Sequence, residues 1–195
     1  MRLFYAVNFN DNVKKALCDN LNEIQKYTVR GGFTEKNNFH ITLVFVGECD
    51  PNKLDSLKKV IDNTIKRINP EPIKAVIDGL GTFSRPGDEL LWAGVKIGPE
   101  NIAMLNKINK TITEELAYMG IYINDGNKKF TPHVTIARKV EFRQITSKEI
   151  NRIKFNPIDF TIDSLTLMES VQEIKSFGDR RYTKIVYKPI YEVKF

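Results

Sequence analysis

The chain has 195 residues, of which 42% are hydrophobic and 28% charged, the proportions of a soluble globular domain with a sizeable core and not of a disordered chain. Its net charge of +6 is compatible with a polyanionic partner such as RNA without requiring one. Two isolated cysteines, Cys18 and Cys49, exclude a disulfide framework or a thiolate metal centre, no apolar run is long enough to span a membrane, and the apolar start breaks at Asn8 too early for a signal peptide, so a cytoplasmic protein is expected.

Strand-like and helix-like periods alternate along the chain. The opening "RLFYAVNF" reads as a strand, and Val13, Leu17, Leu21 and Ile24 then recur at helical spacing. "FHITLVFV" is a second strand. Asp50 followed by Pro51 predicts a helix start, continued by Leu54, Leu57, Ile61, Ile65 and Ile68 and ended by Pro70 and Pro72. "IKAVIDGLGTF" and "ELLWAGVKI" read as a hairpin around "SRPGD". Pro99 opens a third helix whose buried side holds Ile102, Leu105, Ile108, Ile112, Leu116 and Met119, with Gly120 just past its end. After "HVTIARKV" come a short helix near Ser147 and the closing strands "IDFTIDSLTLME" and "RYTKIVYKPI". Interspersed elements joined by hairpins predict an α+β domain, with residues 1–195 as one unit.

One internal echo carries chemistry. The only two histidines, His40 and His133, are each followed two residues later by threonine, in "FHITLVF" and "PHVTIAR". The step from 40 to 133 and the step from 42 to 135 are both 93 residues. Side chains alternate along a strand, so His40 and Thr42 share one face, as do His133 and Thr135. Ile41, Leu43 and Phe45 are expected to face the core, as are Val134 and Ile136. Two such strands facing across a cleft would present two imidazoles and two hydroxyls. An imidazole titrates near neutrality, so one can accept a proton while the other donates. Hydroxyls can grip the free oxygens of a phosphodiester, for which positioning and charge stabilisation are most of the work. Two histidines without a carboxylate or cysteine spacing make a poor ligand set, so neither metal nor cofactor is expected.

The paired "HITL" and "HVTI" motifs resemble the 2H phosphoesterases. The wider pattern is similar to the RNA 2′,3′-cyclic phosphodiesterase and 2′-5′ RNA ligase (LigT) family: "MRLFYAVNF", "NNFHITLVFVGE", "GLGTF" with "LWAGV", "FTPHVTIAR", and "LTLMES" with "YTKIVY". This resemblance implies a bilobal α+β fold, two antiparallel-rich sheets flanked by helices with pseudo-twofold symmetry around a central groove. It implies hydrolysis of RNA 2′,3′-cyclic phosphate ends to a 2′-phosphate without metal, with His40 as proton donor, His133 as proton acceptor, and Thr42 and Thr135 on the phosphate. Arg138 matches an arginine that the family sets against the phosphate. Strand parity argues otherwise, because an odd offset from His133 turns Arg138 to the opposite face unless a bulge intervenes.

Phe39, Phe130 and Trp92 are candidates for stacking on a base, and Arg30, Lys128, Lys129, Arg180 and Arg181 for holding an RNA backbone. The expected partners are RNA with cyclic phosphate ends or cyclic nucleotides, acted on by a monomer without a membrane. The same site run with a 5′-hydroxyl as nucleophile would be a 2′-5′ RNA ligase. A non-catalytic RNA-binding module is the reading of a different class, and it would not need a matched acid and base.

Overall fold

The computed structural model describes residues 1–83, 89–123, 130–143, 145–177 and 180–195. Its strands are β1 (Arg2–Asn8), β2 (Thr28–Phe33), β3 (His40–Glu48), β4 (Ile73–Phe83), β5 (Leu90–Ile97), β6 (His133–Phe142), β7 (Ile158–Ile162), β8 (Ser164–Phe177) and β9 (Arg180–Lys194). Its helices are α1 (Asp11–Gln25), α2 (Leu54–Ile68) and α3 (Pro99–Tyr118). All strand pairs are antiparallel, in the order β7-β4-β5-β6-β3-β1-β8-β9, with β2 also paired to β6. The fold is α+β and LigT-like, with two four-strand halves, β7-β4-β5-β6 and β3-β1-β8-β9. They meet where β3 and β6 touch through one residue pair, Ile41 with Val134. That seam joins the two expected sheets into one.

The ends of the elements follow from local chemistry. Asn10 caps α1 by accepting from the Val13 amide at 3.0 Å. Asp50 accepts from the Asn52 amide at 2.9 Å and caps a 3₁₀ turn at Pro51–Lys53, so α2 begins one turn later than the Asp-Pro pair suggests. Asn69 closes α2 in the left-handed conformation, φ 47°. Gly120 takes φ 72° after α3, and the next amide returns to Leu116 at 2.9 Å.

Val13, Leu17 and Ile24 of α1, Leu57, Val60 and Ile61 of α2, and Leu105, Ile108, Ile112 and Leu116 of α3 form one buried cluster with Ile41 and Val134. The helices therefore cover the sheet from behind, α1 against β2 and β7 and the α2–α3 pair against β8, β9 and β3, and at ~25 cal/mol per Å² of buried apolar surface this cluster is the main source of stability. Tyr5 ties the layers together, its hydroxyl donating to the Leu57 carbonyl at 2.8 Å inside the core. Burial pushes that phenol far above its ordinary range. The opposite face carries the alternating polar residues of β3 and β6. Among the described residues no helix is long and apolar enough to cross a membrane.

Candidate active site

His40 and His133 each start a strand, and each is held in the same way. The His40 Nδ1–H donates to the Asn38 carbonyl at 2.7 Å, and the His133 Nδ1–H donates to the Thr131 carbonyl at 2.9 Å. A ring fixed through Nδ1 to the carbonyl two residues back leaves Nε2 directed away from its own backbone, available as base or acid. In the neutral His40 ring, Nε2 accepts from the Thr42 hydroxyl at 3.0 Å. Continuing the antiparallel register outward from Ile41 and Val134 sets His40 across from Thr135 and Thr42 across from His133. On that register the two motifs flank the seam, with His40, Thr42 and Thr135 lining one cavity.

Both motif strands contain a bulge at the same position. Against β1, Tyr5 pairs with Val44 and Ala6 with Thr42, leaving Leu43 as the extra residue. Against β5, Leu91 pairs with Ala137 and Trp92 with Thr135, leaving Ile136 extra. The result is two consecutive buried residues in each strand, Leu43 with Val44 and Ile136 with Ala137, after which the alternation is reversed. Arg138 therefore returns to the face of His133 and lines the same cavity as His40, Thr42 and Thr135. The bulge removes the parity objection.

The matching bulge also corrects an expectation. Phe45, which stands 93 residues before Arg138, does not face the core. It is 45% exposed and lines the cavity. Each bulge leaves carbonyls that the ladder cannot use, and each finds a different donor. Asn109 of α3 donates to the Leu43 carbonyl at 2.6 Å. Thr34 donates through its hydroxyl to the Thr135 carbonyl at 2.9 Å and through its amide to the Ile136 carbonyl at 2.8 Å.

The two imidazoles lie in different surroundings. His40 is flanked by Phe4 at 4.9 Å and by Tyr187, edge-on, at 4.9 Å between ring centres. Burial lowers its pKa from 6.5 to about 4, the Asn38 carbonyl opposes this, and the positive charges of Arg138, His133 and Lys14 lower it further. His133 has Phe83 edge-on at 5.3 Å and Trp92 at 6.2 Å, and its Nδ1 hydrogen bond is open to solvent. The buried Asn38 side chain donates to the Ile185 carbonyl at 2.8 Å and accepts from the Tyr187 amide at 2.9 Å. One residue thereby anchors His40 through its carbonyl and docks β9 through its amide.

The proposed stacking and backbone-binding residues fare unevenly. Phe39 is 1% exposed within the core and offers no face to a base. Phe130 packs against the core edge. Trp92 is half-buried, its ring lying over Gly81, whose missing Cβ makes room for it. Arg30 is paired with Glu141 at 2.6 Å, and Arg181 is exposed on β9. Lys128, Lys129 and the loop "SRPGD" lie outside the described residues, as does the side chain of Arg180. Sequence reasoning missed Asn38, Thr34, Phe4, Tyr187 and Phe83. The Nδ1 anchors were within reach, since both carbonyls stand two residues before the histidines. Among the described residues no group of three or more His, Cys, Asp and Glu side chains is placed to hold a metal.

Comparison with known proteins identifies the family and the fold. The sequence pattern of the 2′-5′ RNA ligase superfamily matches residues 14–174. An RNA 2′,3′-cyclic phosphodiesterase of Thermotoga maritima is 28% identical over all of this chain and 96% of its own length. Another, of Methanocaldococcus jannaschii, is 31% identical over 82% of this chain and 84% of its own. The crystal structure of E. coli LigT complexed with 3′-AMP superposes with a TM-score of 0.70 at 21% identity, covering 99% of this chain and 97% of that one. A Thermus thermophilus structure gives 0.67 at 22% identity, covering 100% and 97%. The bulged, paired His-x-Thr strands thus sit in a chain that belongs to the 2′-5′ RNA ligase superfamily.

Proposed function

We propose that the chain is an RNA 2′,3′-cyclic phosphodiesterase that opens a terminal cyclic phosphate to a 2′-phosphate by acid–base catalysis with two histidines and no metal. The observation that carries this reading is the matched pair of imidazoles, each fixed through Nδ1 at the start of one of the two strands that meet at the seam. The names of the curated relatives support the substrate class.

In the reaction, water attacks phosphorus in line with the departing ribose 3′-oxygen. His133 Nε2 takes a proton from that water as the new P–O bond forms. The P–O3′ bond breaks and His40 Nε2 delivers a proton to O3′, leaving a 2′-phosphomonoester and a free 3′-hydroxyl. Thr42 and Thr135 donate to the non-bridging oxygens, and Arg138 offsets the charge gathering there. Direction follows from accessibility. Water reaches the solvent-open His133, while His40 stands behind Phe4 and Tyr187, where a leaving group is held rather than exchanged. When phosphate arrives and His40 is protonated, Nε2 ceases to accept from Thr42, and that hydroxyl is freed to donate to the phosphate.

The test is incubation with a 2′,3′-cyclic nucleotide in the presence of a chelator, with the phosphomonoester identified by NMR. A 2′-phosphate formed at undiminished rate is expected. A 3′-phosphate product, or turnover that stops in chelator, overturns the mechanism. His40→Ala and His133→Ala should each lower kcat/KM by at least about 10²-fold, and full activity in either variant removes that residue from the chemistry.

A further inference from the structure

Strand β6 bulges a second time just beyond the site. Against β2, Arg138 pairs with Gly32 and Glu141 with Arg30, so a step from 138 to 141 faces a step from 32 to 30 and one residue of β6 is extra. Lys139 takes up the difference in the left-handed conformation, φ 54°. On either side of the pair Arg138–Lys139, Ala137 and Val140 are buried, and the Val140 amide donates to the Glu89 carbonyl at 3.0 Å. Arg138 and Lys139 are both exposed. Two consecutive cations thus stand between two core residues, and the first of them lines the catalytic cavity.

The other motif strand solves the same problem without strain. β3 also bulges a second time, with Phe4 paired to Phe45 and Leu3 to Gly47, and there the left-handed residue is Gly47, φ 89°. Glycine has no Cβ to clash in that conformation, whereas a lysine carries the full steric cost. Among the described residues Asn69 is the other side chain at positive φ, and it closes α2, where asparagine is a usual cap. Lys139 has no such role. Strained backbone of this kind gathers where a ligand is held. Its charge is also uncommitted, since among the described residues no carboxylate forms an ion pair with it. The nearest acid in sequence, Glu141, is held by Arg30 at 2.6 Å.

Resting on the function proposed above, we propose that Lys139 binds the phosphodiester on the 5′ side of the nucleotide that bears the cyclic phosphate, and so makes an RNA end a better substrate than a free cyclic nucleotide. Arg138 faces the reacting phosphate, and the Cα of Lys139 follows at about 3.8 Å. Two long cationic side chains from adjacent positions can serve two successive phosphates of one strand. A mononucleotide offers only the first. The contact is one of charge and carries no base information, so the preference it creates is for chain length and not for sequence.

The test compares adenylyl-adenosine 2′,3′-cyclic phosphate, which has the extra phosphodiester, with adenosine 2′,3′-cyclic phosphate, which lacks it. In the wild type the dinucleotide is expected to have the higher kcat/KM. Lys139→Gly should lower that preference by about tenfold, the range for one charge-assisted contact, and should make the salt dependence of the dinucleotide reaction shallower by about 0.7 in log–log slope. The same variant should melt about 2–4 °C higher, because glycine relieves the left-handed backbone. Lys139→Arg should keep the preference. Lys59→Ala removes an equal charge from the exposed side of α2, behind the sheet, and should leave the preference within twofold. A preference retained within twofold in Lys139→Gly overturns the proposal, as does its absence in the wild type. An equal loss for both esters, which would put Lys139 on the reacting phosphate, or an equal loss in Lys59→Ala, which would make the effect one of net charge, overturns it too. A lower melting temperature in Lys139→Gly removes its basis in strain. Failure of the wild type to hydrolyse either ester defeats the proposed function itself. Calorimetry then still reads the contact, because adenylyl-adenosine 2′-phosphate must bind tighter than adenosine 2′-phosphate and must lose that advantage in Lys139→Gly.

Discussion

The depressed pKa of His40 sets a specific requirement on its proposed role as donor. A fall from 6.5 to about 4 corresponds to about 3 kcal/mol against the charged ring. At pH 7 only about one free molecule in a thousand would carry the proton. The substrate itself supplies the remedy. A phosphate oxyanion about 4 Å away, at the effective dielectric of about 20 that suits a partly open site, favours the imidazolium by about 4 kcal/mol. That is enough to offset the burial penalty and the charges of Arg138 and His133 together. In the proposed reaction the bound anion therefore switches the acid on. Because the chain has only two histidines, NMR titration of the imidazoles, assigned with His133→Gln, reads this directly. Free His40 should titrate near 4. With saturating adenosine 2′-phosphate its midpoint should rise by two pH units or more. A free midpoint at or above 6.5, or no rise with nucleotide bound, refutes the reasoning.

The same group links pH to stability. A folded pKa below the unfolded value gives a contribution fully present above pH 6.5 and lost as pH falls through about 4; the loss is about 3 kcal/mol at most, and His40→Gln should flatten the decline in melting temperature over that window. Gly81→Ala would put its Cβ 2.2 Å from Cζ2 of Trp92, so the ring must move. A cost of about 1–3 kcal/mol and a changed emission from the single tryptophan are expected, and unchanged stability would show that Trp92 does not pack as described. Asn38→Ala removes both side-chain hydrogen bonds to β9 and leaves the Ile185 carbonyl and the Tyr187 amide without them. The loss should be about 2–4 kcal/mol in denaturant, accompanied by a fall in kcat because Tyr187, which packs on His40, loses its anchor while the backbone carbonyl that holds His40 Nδ1 remains.

The shared facing of each His–Thr pair was legible because strand alternation is a local rule. His40 and Thr42 share a face whatever the rest of the chain does, and the repeat at His133 and Thr135 made the pattern specific. Phe45 and Arg138 were misjudged or contested for the opposite reason. A bulge is a property of two strands in register, Tyr5 with Val44 and Leu91 with Ala137, and nothing inside "HITLVF" alone announces the extra residue. β2 was invisible for a similar reason, since "TVRGGF" has little periodicity and becomes a strand by pairing with β6. Phe39 is the converse case. Its place beside a histidine suggested a base platform, whereas alternation puts it on the core side with Ile41. Tyr187 is 147 residues from His40 in sequence, and only the sheet order β3-β1-β8-β9, with Asn38 docking β9, brings the two rings together.

Near-symmetry suits an in-line displacement, because two equivalent imidazoles can serve the opposite ends of one trigonal-bipyramidal phosphorus. A symmetric site, however, would bind the phosphodiester in either direction and waste half of its encounters. The positions that break the symmetry are therefore the informative ones, and they lie outside the two His-x-Thr motifs. The bulges rest on Asn109 in one half and Thr34 in the other, and each bulge sets the facing of the residue that follows it. In one half that residue is Arg138 and in the other Phe45, and the enclosed cavity lies beside Phe45. Arg138 thus stands where the proposed reaction seats the phosphate, and Phe45 turns an aromatic face to the same cavity. The repeat is thus made asymmetric by two side chains that share one structural position in it.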